Sequence, residues 1–396
     1  MEPVISSSVN NTLPSPGKWG HDQEQAKLTL VSLFAGAGGV DIGFESTGLF
    51  NTVVAADWAD YSIDTLKSNQ GKCHSLNIND IAPWLSGDSR VSPAVPKHVL
   101  LKNTAILQAD LSDDGAPKIR NLYSGSVDLV AGGPPCQAFS VRNRRPDRGL
   151  LDANGRGNLI FSFMEIVGAL RPRAFLFENV MGLDRSEHGN LVQTLINYAR
   201  DKLGYNVTLS KVVASSYGLP QDRRRIIIVG TDPGLEYSPP LQTHGDPGLF
   251  DKQPMRPLRT VRQALEGLPE PESPGCPANH KAPRHTDEMR VRFAAVAPGK
   301  QDPVRKKIRL HPDRPCPALF SGSDTGGGLA DIHPWENRAL TPRECARLQG
   351  FPDCWELSSS RSGEVYKLVA NAVPPPLAAA FALQLALALK QPVDHY

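Results

Sequence analysis

The sequence predicts an α/β protein, a doubly wound and mostly parallel sheet joined to a smaller, loop-rich domain. Three observations support this. Over roughly the first two hundred residues, short apolar runs alternate with amphipathic stretches, the pattern of βαβ units. Glycine-bearing turns follow the first and fourth of those runs, where a sheet edge would bind a ligand. Beyond Gly230 the periodicity ends, and the stretch from Thr231 to Pro257 holds six prolines.

The elements follow in order. Residues 1–26 are polar, lack the apolar core of a secretory signal, and are expected to form a disordered lead-in. "LTLVSLF" (28–34) is the first strand, followed by a glycine turn and a helix from Val40. "TVVAAD" (52–57) is the second strand and "TAILQAD" (104–110) the third, separated by a Pro- and Ser-containing insertion over residues 81–100. "SVDLVAGG" (126–133) is the fourth strand, "NLIFSFMEIVGAL" (158–170) a helix, and "RAFLFEN" (173–179) the fifth strand. "RRIIIVG" (224–230) closes the series. Helical periodicity returns in "PRECARLQG" and in "LAAAFALQLALALK". The latter is too short to span a bilayer and apolar enough to pack back onto the first domain. The expected division is a catalytic and ligand-binding domain at 27–231, a small domain at 232–340, and a hinge with returning helices at 341–396.

The 396 residues carry a formal net charge of +2, which says little about partners. Locally the balance is different. Between Lys281 and Pro315 there are ten Lys or Arg against four Asp or Glu, the footprint of a surface that meets phosphates. Such a run is equally the composition of a plain solvated face. The six cysteines show no C-x-x-C spacing, so neither a zinc site nor a disulfide framework follows from them. A soluble protein of a reducing, cytoplasmic compartment is expected.

The chemistry concentrates at strand ends. In "LFAGAGGVDIGF", Gly36, Gly38 and Gly39 allow a tight turn against a ligand before a helix starts. The dinucleotide spacing G-x-G-x-x-G is not met, because Asp41 stands at the third position. Asp57 ends the second strand 21 residues after Gly36, close to the ~20 residues at which a carboxylate reaches ribose hydroxyls. Trp58 follows as a ring suited to stacking on a purine, and Asp110 ends the third strand, where it can accept from an exocyclic amine. Backbone, carboxylates and a ring on one edge describe an adenosine site. Cys136 stands just past the fourth strand, after Gly-Gly-Pro-Pro, and Glu178 ends the fifth, where burial is expected to raise its pKa. Each alone has a bland alternative, a buried inert thiol and a solvated carboxylate. Together they form a candidate nucleophile and acid.

"FAGAGG", "PPCQ", "ENV", "QDRRR" and "YKLVANAVPPPLA" occur in the order found in the DNA (cytosine-5) methyltransferase family, which the chain resembles from about Leu28 to Ala380. The resemblance implies a Rossmann-like, S-adenosylmethionine-dependent methyltransferase fold with a target-recognition domain at 232–340. It implies that Cys136 is the nucleophile, that Glu178 contacts cytosine, and that Gln221, Arg223 and Arg225 complete the base pocket, with Gln137, Ser140 and Asn179 also on the substrate. It implies that Phe34, Gly36, Gly38, Gly39, Asp57, Trp58, Asp110, Pro135 and Asn371 surround S-adenosylmethionine, the product being S-adenosylhomocysteine and no metal being needed. The implied partner is double-stranded DNA. The enzyme is expected to be a monomer of bacterial type, nucleoid-associated through DNA and not membrane-bound; whether a restriction endonuclease accompanies it is not written in the sequence.

By the same resemblance, "SVRNRRPDRGLLDANGRGN" suits a lid that closes over DNA, and a flipped-out target base is required. Two positions depart from the family's pattern. Asp57 stands where Glu is usual, which shortens the reach to ribose but keeps the charge, and Ala370 stands where Gly is usual. Two rival readings keep the fold. A transfer RNA cytosine-5 methyltransferase would carry its own short signature, which does not occur in this chain. A non-catalytic DNA-binding regulator would be expected to have lost Cys136 or Glu178. The recognition sequence is not encoded in any pattern a single chain displays.

Overall fold

The computed structural model describes residues 26–72, 81, 100–112, 114–135, 158–184, 189–245, 255–319, 330–359 and 361–391. Among these, the strands are β1 (Leu28–Leu33), β2 (Phe50–Asp57), β3 (Ala105–Gln108), β4 (Leu129–Gly132), β5 (Ala174–Val180), β6 (Asn206–Val213), β7 (Gln221–Asp222), β8 (Arg224–Thr231) and β9 (Cys316–Pro317). The helices are α1 (Gly39–Glu45), α2 (Asp60–Asn69), α3 (Gly115–Leu122), α4 (Asn158–Leu170), α5 (Gly189–Asn197), α6 (Val261–Leu265), α7 (Asp287–Ala294), α8 (Pro342–Leu348), α9 (Ser362–Asn371) and α10 (Pro375–Leu389). The lead-in up to residue 25 and nearly all of the 81–100 insertion lie outside the described residues.

Among the described residues, seven strands form one sheet in the order β3-β2-β1-β4-β5-β8-β6. β1 to β5 run parallel, β8 is antiparallel to β5, and β6 is antiparallel to β8. Alternation along the central strands gives both faces of the sheet a core, as a doubly wound architecture requires. Leu28 and Leu30 of β1, Ala174 and Leu176 of β5, and Ile227 and Val229 of β8 face one side. There they meet Val40 and Phe44 of α1 and Leu377, Phe381 and Leu385 of α10. Val31 and Leu33, Phe175 and Phe177, and Ile226 and Ile228 face the other side, against Ile119 of α3, Phe163 and Val167 of α4, and Leu195 of α5.

β6 is absent from the sequence reading. It is an edge strand with Lys211, Ser210 and exposed Leu209, and only Val212 is fully buried, so no apolar run announces it. The apolar stretch Gly363–Leu389 is long enough to cross a membrane, yet 89% of its most apolar window is buried inside the protein, as expected of a returning core helix.

After Thr231 the chain is held by few regular elements. α6 begins with a capping box in which the Thr260 hydroxyl accepts from the Gln263 amide, and α7 with Thr286 accepting from Met289. β9 pairs in parallel with β7. Phe293, Val296 and Ile332 form a small separate cluster. Leu310, Cys316 and Leu319 instead join the cluster that contains Ala35, Ala37, Leu66 and Trp355. The hydrophobic core therefore runs continuously across the boundary positions near 231 and 340.

The basic run in this segment is not uniformly a surface. The Arg309 guanidinium is buried and donates to the carbonyls of Phe293, Val296, His333 and Glu336 and to Oδ1 of Asn337, at 2.6 to 3.0 Å. Arg292 pairs with the fully buried Asp302 at 3.2 Å. Lys300, Arg305 and Lys306 are exposed.

Candidate active site

The sheet register aligns the predicted residues along one edge. Asp57 is opposite Gln108, Ala56 and Gly132 flank Leu33, and Phe177 is opposite Gly132. The strands therefore finish level, and Asp110, Asp57, Phe34, Gly133 and Glu178 all emerge at their C-terminal ends, where ligands of open α/β sheets bind.

At the first loop, Phe34 adopts φ +53°, an uncommon conformation for a residue bearing a side chain. Gly36 follows at φ +55°, and a Cβ there would approach nothing more closely than 3.9 Å, so the loop leaves open space above it. Gly38 takes the left-handed φ of +81° that the tight turn requires, and both Gly38 and Gly39 have a steric role besides. A Cβ on Gly38 would come within 2.7 Å of the Trp355 ring, and one on Gly39 would overlap the Val373 carbonyl oxygen. These two glycines allow the C-terminal region to close on the loop. Asp57 is likewise buried and braces the loop. Its Oδ2 accepts from the Gly36 amide at 2.9 Å and its Oδ1 from the Ala59 amide at 3.0 Å, while burial raises its pKa above the ordinary 3.8. Trp58 is 61% exposed at the strand end. Asp110 is exposed, and hydrogen bonds from Ser112 hold its carboxyl below the usual range. The open space above Gly36, the exposed ring and the two strand-end carboxylates suit an adenosine-bearing cofactor.

At the fourth and fifth strands, Glu178 is buried and its Oε1 lies 2.7 Å from Nε of Arg225. The lone buried carboxylate expected from the sequence is thus paired with a cation. Its Oε2 lies so close to Gly133 that a Cβ there would sit 2.8 Å away, and Asn179 Nδ2 donates to the Pro134 carbonyl at 3.1 Å. Glu178 and Asn179 therefore grip the Gly133-Pro134-Pro135 turn that leads into Cys136. Cys136, Gln137, Ser140 and the arginine-rich stretch that continues to Gly157 lie outside the described residues.

Gln221 and Arg223 do not stand in an open base pocket. Both are fully buried. Gln221 Nε2 donates to Oε1 of Gln349 at 2.9 Å, and the Arg223 guanidinium donates to the carbonyls of Ala370 at 2.8 Å and Ala372 at 3.1 Å. Gln349 also donates to Ala372, at 2.7 Å. The spacing of "QDRRR" on and around a strand explains the split, since Arg223 and Arg225 belong to different local environments. Exposed Asn371 sits between the two carbonyls so held, on a segment whose Val373 approaches both Gly39 and Gly133. Ala370 is buried in the core, so its methyl group packs there.

Beneath the loop lies a feature that has no signature in the sequence. Asp41 and Glu45 of α1 are buried together. Asp41 accepts from Ser32 at 3.1 Å, and Glu45 accepts from the amides of Thr52 at 2.9 Å and Leu101 at 2.8 Å. Burial pushes Asp41 from 3.8 up to about 6 and Glu45 from 4.5 up to about 7, the Asp41 charge adding to the latter.

Sheet order gives a Rossmann-like fold, and with the family match and the type II relatives it defines the class, an S-adenosylmethionine-dependent methyltransferase. The model of the family described as C-5 cytosine-specific DNA methylase matches residues 28–86, 102–279 and 281–386, and the chain belongs to that family of DNA cytosine methyltransferases. It is 30% identical to the type II methyltransferase M.XorII of Xanthomonas oryzae, over 91% of this chain and 85% of that protein. It is 29% identical to the type II methyltransferase M.NgoFVII of Neisseria gonorrhoeae, over 88% of this chain and 84% of that one. Among solved structures, a candidate DNA modification methyltransferase encoded within an E. coli prophage superposes with a TM-score of 0.67 at 23% identity, covering 92% of this chain and all of that one. The S. pombe Dnmt2 methyltransferase does so at 0.58 and 15%, covering 92% and 99%.

Proposed function

We propose that the protein methylates carbon 5 of a flipped-out cytosine in a specific duplex DNA sequence through a covalent adduct with Cys136. The observation that supports this reading most directly is the Arg225–Glu178 pair packed against the turn that leads into Cys136. S-adenosylmethionine, when bound, supplies an electrophilic methyl group, and the fit of the Gly36 loop, Asp57, Trp58, Asp110 and Asn371 supports their holding it. Gly38, Gly39 and Pro135 lie at the same edge.

Carbon 5 of cytosine is a poor nucleophile until the ring is activated. Addition of the Cys136 thiolate to carbon 6 breaks the 5,6 double bond and makes carbon 5 the nucleophilic end of an enamine. Glu178 holds the proton at ring nitrogen 3 during that addition. Arg225, against Glu178, orients the carboxyl and stabilises charge developing at the cytosine carbonyl oxygen. Carbon 5 accepts the methyl group, loses its proton to a base, and the thiolate leaves as the double bond re-forms. Gln137, Ser140 and Asn179 belong to the substrate side. Gln221 and Arg223 act from behind, by fixing the segment that bears Asn371.

The segment 232–340 is the target-recognition region in this reading. The type II names of the relatives support a DNA modification enzyme of a restriction-modification system, and in this reading it works as a monomer of bacterial type in the cytoplasm.

A DNA duplex carrying 5-fluorocytosine at the target tests the mechanism. Fluorine at carbon 5 cannot leave as a proton, so the protein should become covalently joined to DNA in a cofactor-dependent way. The adduct should survive denaturing electrophoresis and map to the Cys136 peptide. Cys136→Ser should abolish it, and an adduct on another cysteine would overturn the mechanism.

A further inference from the structure

Residues Trp355–Ser358 form a strap that ties three distant parts of the chain together. The fully buried Trp355 donates its indole N–H to the Ala37 carbonyl at 2.9 Å, and its ring lies against Gly38. The Glu356 amide donates to Asn69 Oδ1 at 2.9 Å, and Asn69 Nδ2 donates back to the Glu356 carbonyl at 2.6 Å. Leu357 makes the same two-way exchange with Asn279, at 2.9 and 2.8 Å. The Ser358 amide donates to Thr65 Oγ1 at 2.9 Å. Arg343 braces the strap by donating to the Trp355 carbonyl at 2.6 Å and the Pro352 carbonyl at 3.0 Å.

Ala37 lies in the glycine loop. Asn69 and Thr65 lie on α2, the helix that begins directly after Trp58 and Ala59. Asn279 comes from the 232–340 segment. The strap thus spans both sides of the strand-end cleft, and its anchors are side chains reading backbone, which fixes distance more tightly than apolar contact does.

We propose that Trp355 is a positioning residue for the cofactor. Its indole N–H holds the Ala37 carbonyl, and with it the Ala37–Gly38 peptide and the curvature of the loop, while the strap sets the separation between that loop and α2. This rests on the proposal that the Gly36 loop and Trp58 hold S-adenosylmethionine. Because a neutral hydrogen bond acts on loop geometry and not on the reacting atoms, its loss should appear in cofactor affinity and not in turnover at saturation.

The test uses the full-length enzyme. Trp355→Phe keeps an aromatic ring in place and removes the donor. The dissociation constant for S-adenosylmethionine by calorimetry, and its KM, should rise about fivefold, the equivalent of one net neutral hydrogen bond. The kcat at saturating cofactor and the KM for DNA should change less than about twofold. Thr65→Val, which removes the acceptor for Ser358 at nearly constant shape, should shift cofactor affinity in the same direction and decides the matter if the Trp355 variant fails to fold. Trp58→Ala is run in parallel. If it weakens cofactor binding while Trp355→Phe and Thr65→Val leave affinity unchanged, the positioning role is overturned and the site stands. If Trp58→Ala also has no effect, the site assignment itself falls. A lowered kcat with unchanged cofactor affinity would make Trp355 merely structural and overturn the proposal.

Discussion

Nε of Arg225 lies 2.7 Å from Oε1 of Glu178, with both side chains largely withdrawn from solvent. In the proposed mechanism this cation and carboxylate act on neighbouring atoms of one ring as a unit, and units of this kind are strongly non-additive in mutant cycles. Glu178→Gln should lower the single-turnover methylation rate by ~10²–10⁴. Arg225→Ala should lower it by ~10²–10³. The double variant should be no slower than Glu178→Gln alone within about a factor of ten. Fully additive losses in rapid-quench kinetics would mean that the two side chains work separately.

Trp58 is the exposed ring at the end of β2. Trp58→Ala should cost S-adenosylmethionine binding about 1–2 kcal/mol through lost stacking and burial. Calorimetry on the DNA-free enzyme measures it directly.

The exposed part of the basic run should govern the salt dependence of DNA binding. Replacing Lys300, Arg305 and Lys306 together with Ala should flatten the slope of log affinity against log salt by about 2–3, roughly 0.9 for each phosphate no longer neutralised. Arg309→Ala should behave differently, because three buried carbonyls and one part-buried carbonyl lose their donor. It should destabilise the fold by about 3 kcal/mol or more in urea titrations. An unchanged salt slope in the triple variant would make the run a solvated face only.

The acid pair under the loop sets a pH signature. Asp41 and Glu45 have folded pKa values raised to about 6 and about 7, so the folded state holds more protons than the unfolded chain between about pH 4 and 7. Their contribution is fully present below the unfolded values and is lost as pH rises through the folded ones. His244 and His333, both lowered by burial to about 4, act oppositely, since their contribution is lost as pH falls below about 6.5. The difference between wild type and Asp41→Asn isolates the acid contribution. The variant should gain stability relative to wild type as pH rises from about 4 to about 7 and level off above that. Parallel unfolding curves at all pH values would contradict the assignment. Glu45 is unsuitable for this test, because both of its oxygens accept backbone amides and a glutamine would turn an N–H toward one of them.

The legible parts of the fold were those in which one short segment is sufficient. The strands around Leu30, Ala55, Phe175 and Ile227 appear as apolar runs because both sheet faces are covered, and Glu178 stands out because a charge ends such a run. β6 was not legible, since an edge strand with Lys211 outward has the pattern of a loop. The exchange of roles among Gln221, Arg223 and Arg225 was hidden for another reason. Neighbours in sequence point to different surroundings, and nothing in "QDRRR" says which guanidinium meets Ala370 and which meets Glu178. Trp355 and Ala37 are 318 positions apart, and only the folded chain brings such a pair together.

Helix α10 packs on the sheet face built from Leu30, Leu129, Leu176 and Val229. Translation completes every described strand of the sheet before it makes this cover. Every nascent chain therefore passes through a stage in which the sheet can pair its strands while the part of this face that α1 does not cover stays apolar and exposed, the kind of surface that chaperones hold and that aggregates when crowded. A message cut short before codon 375 yields a chain caught permanently at that stage.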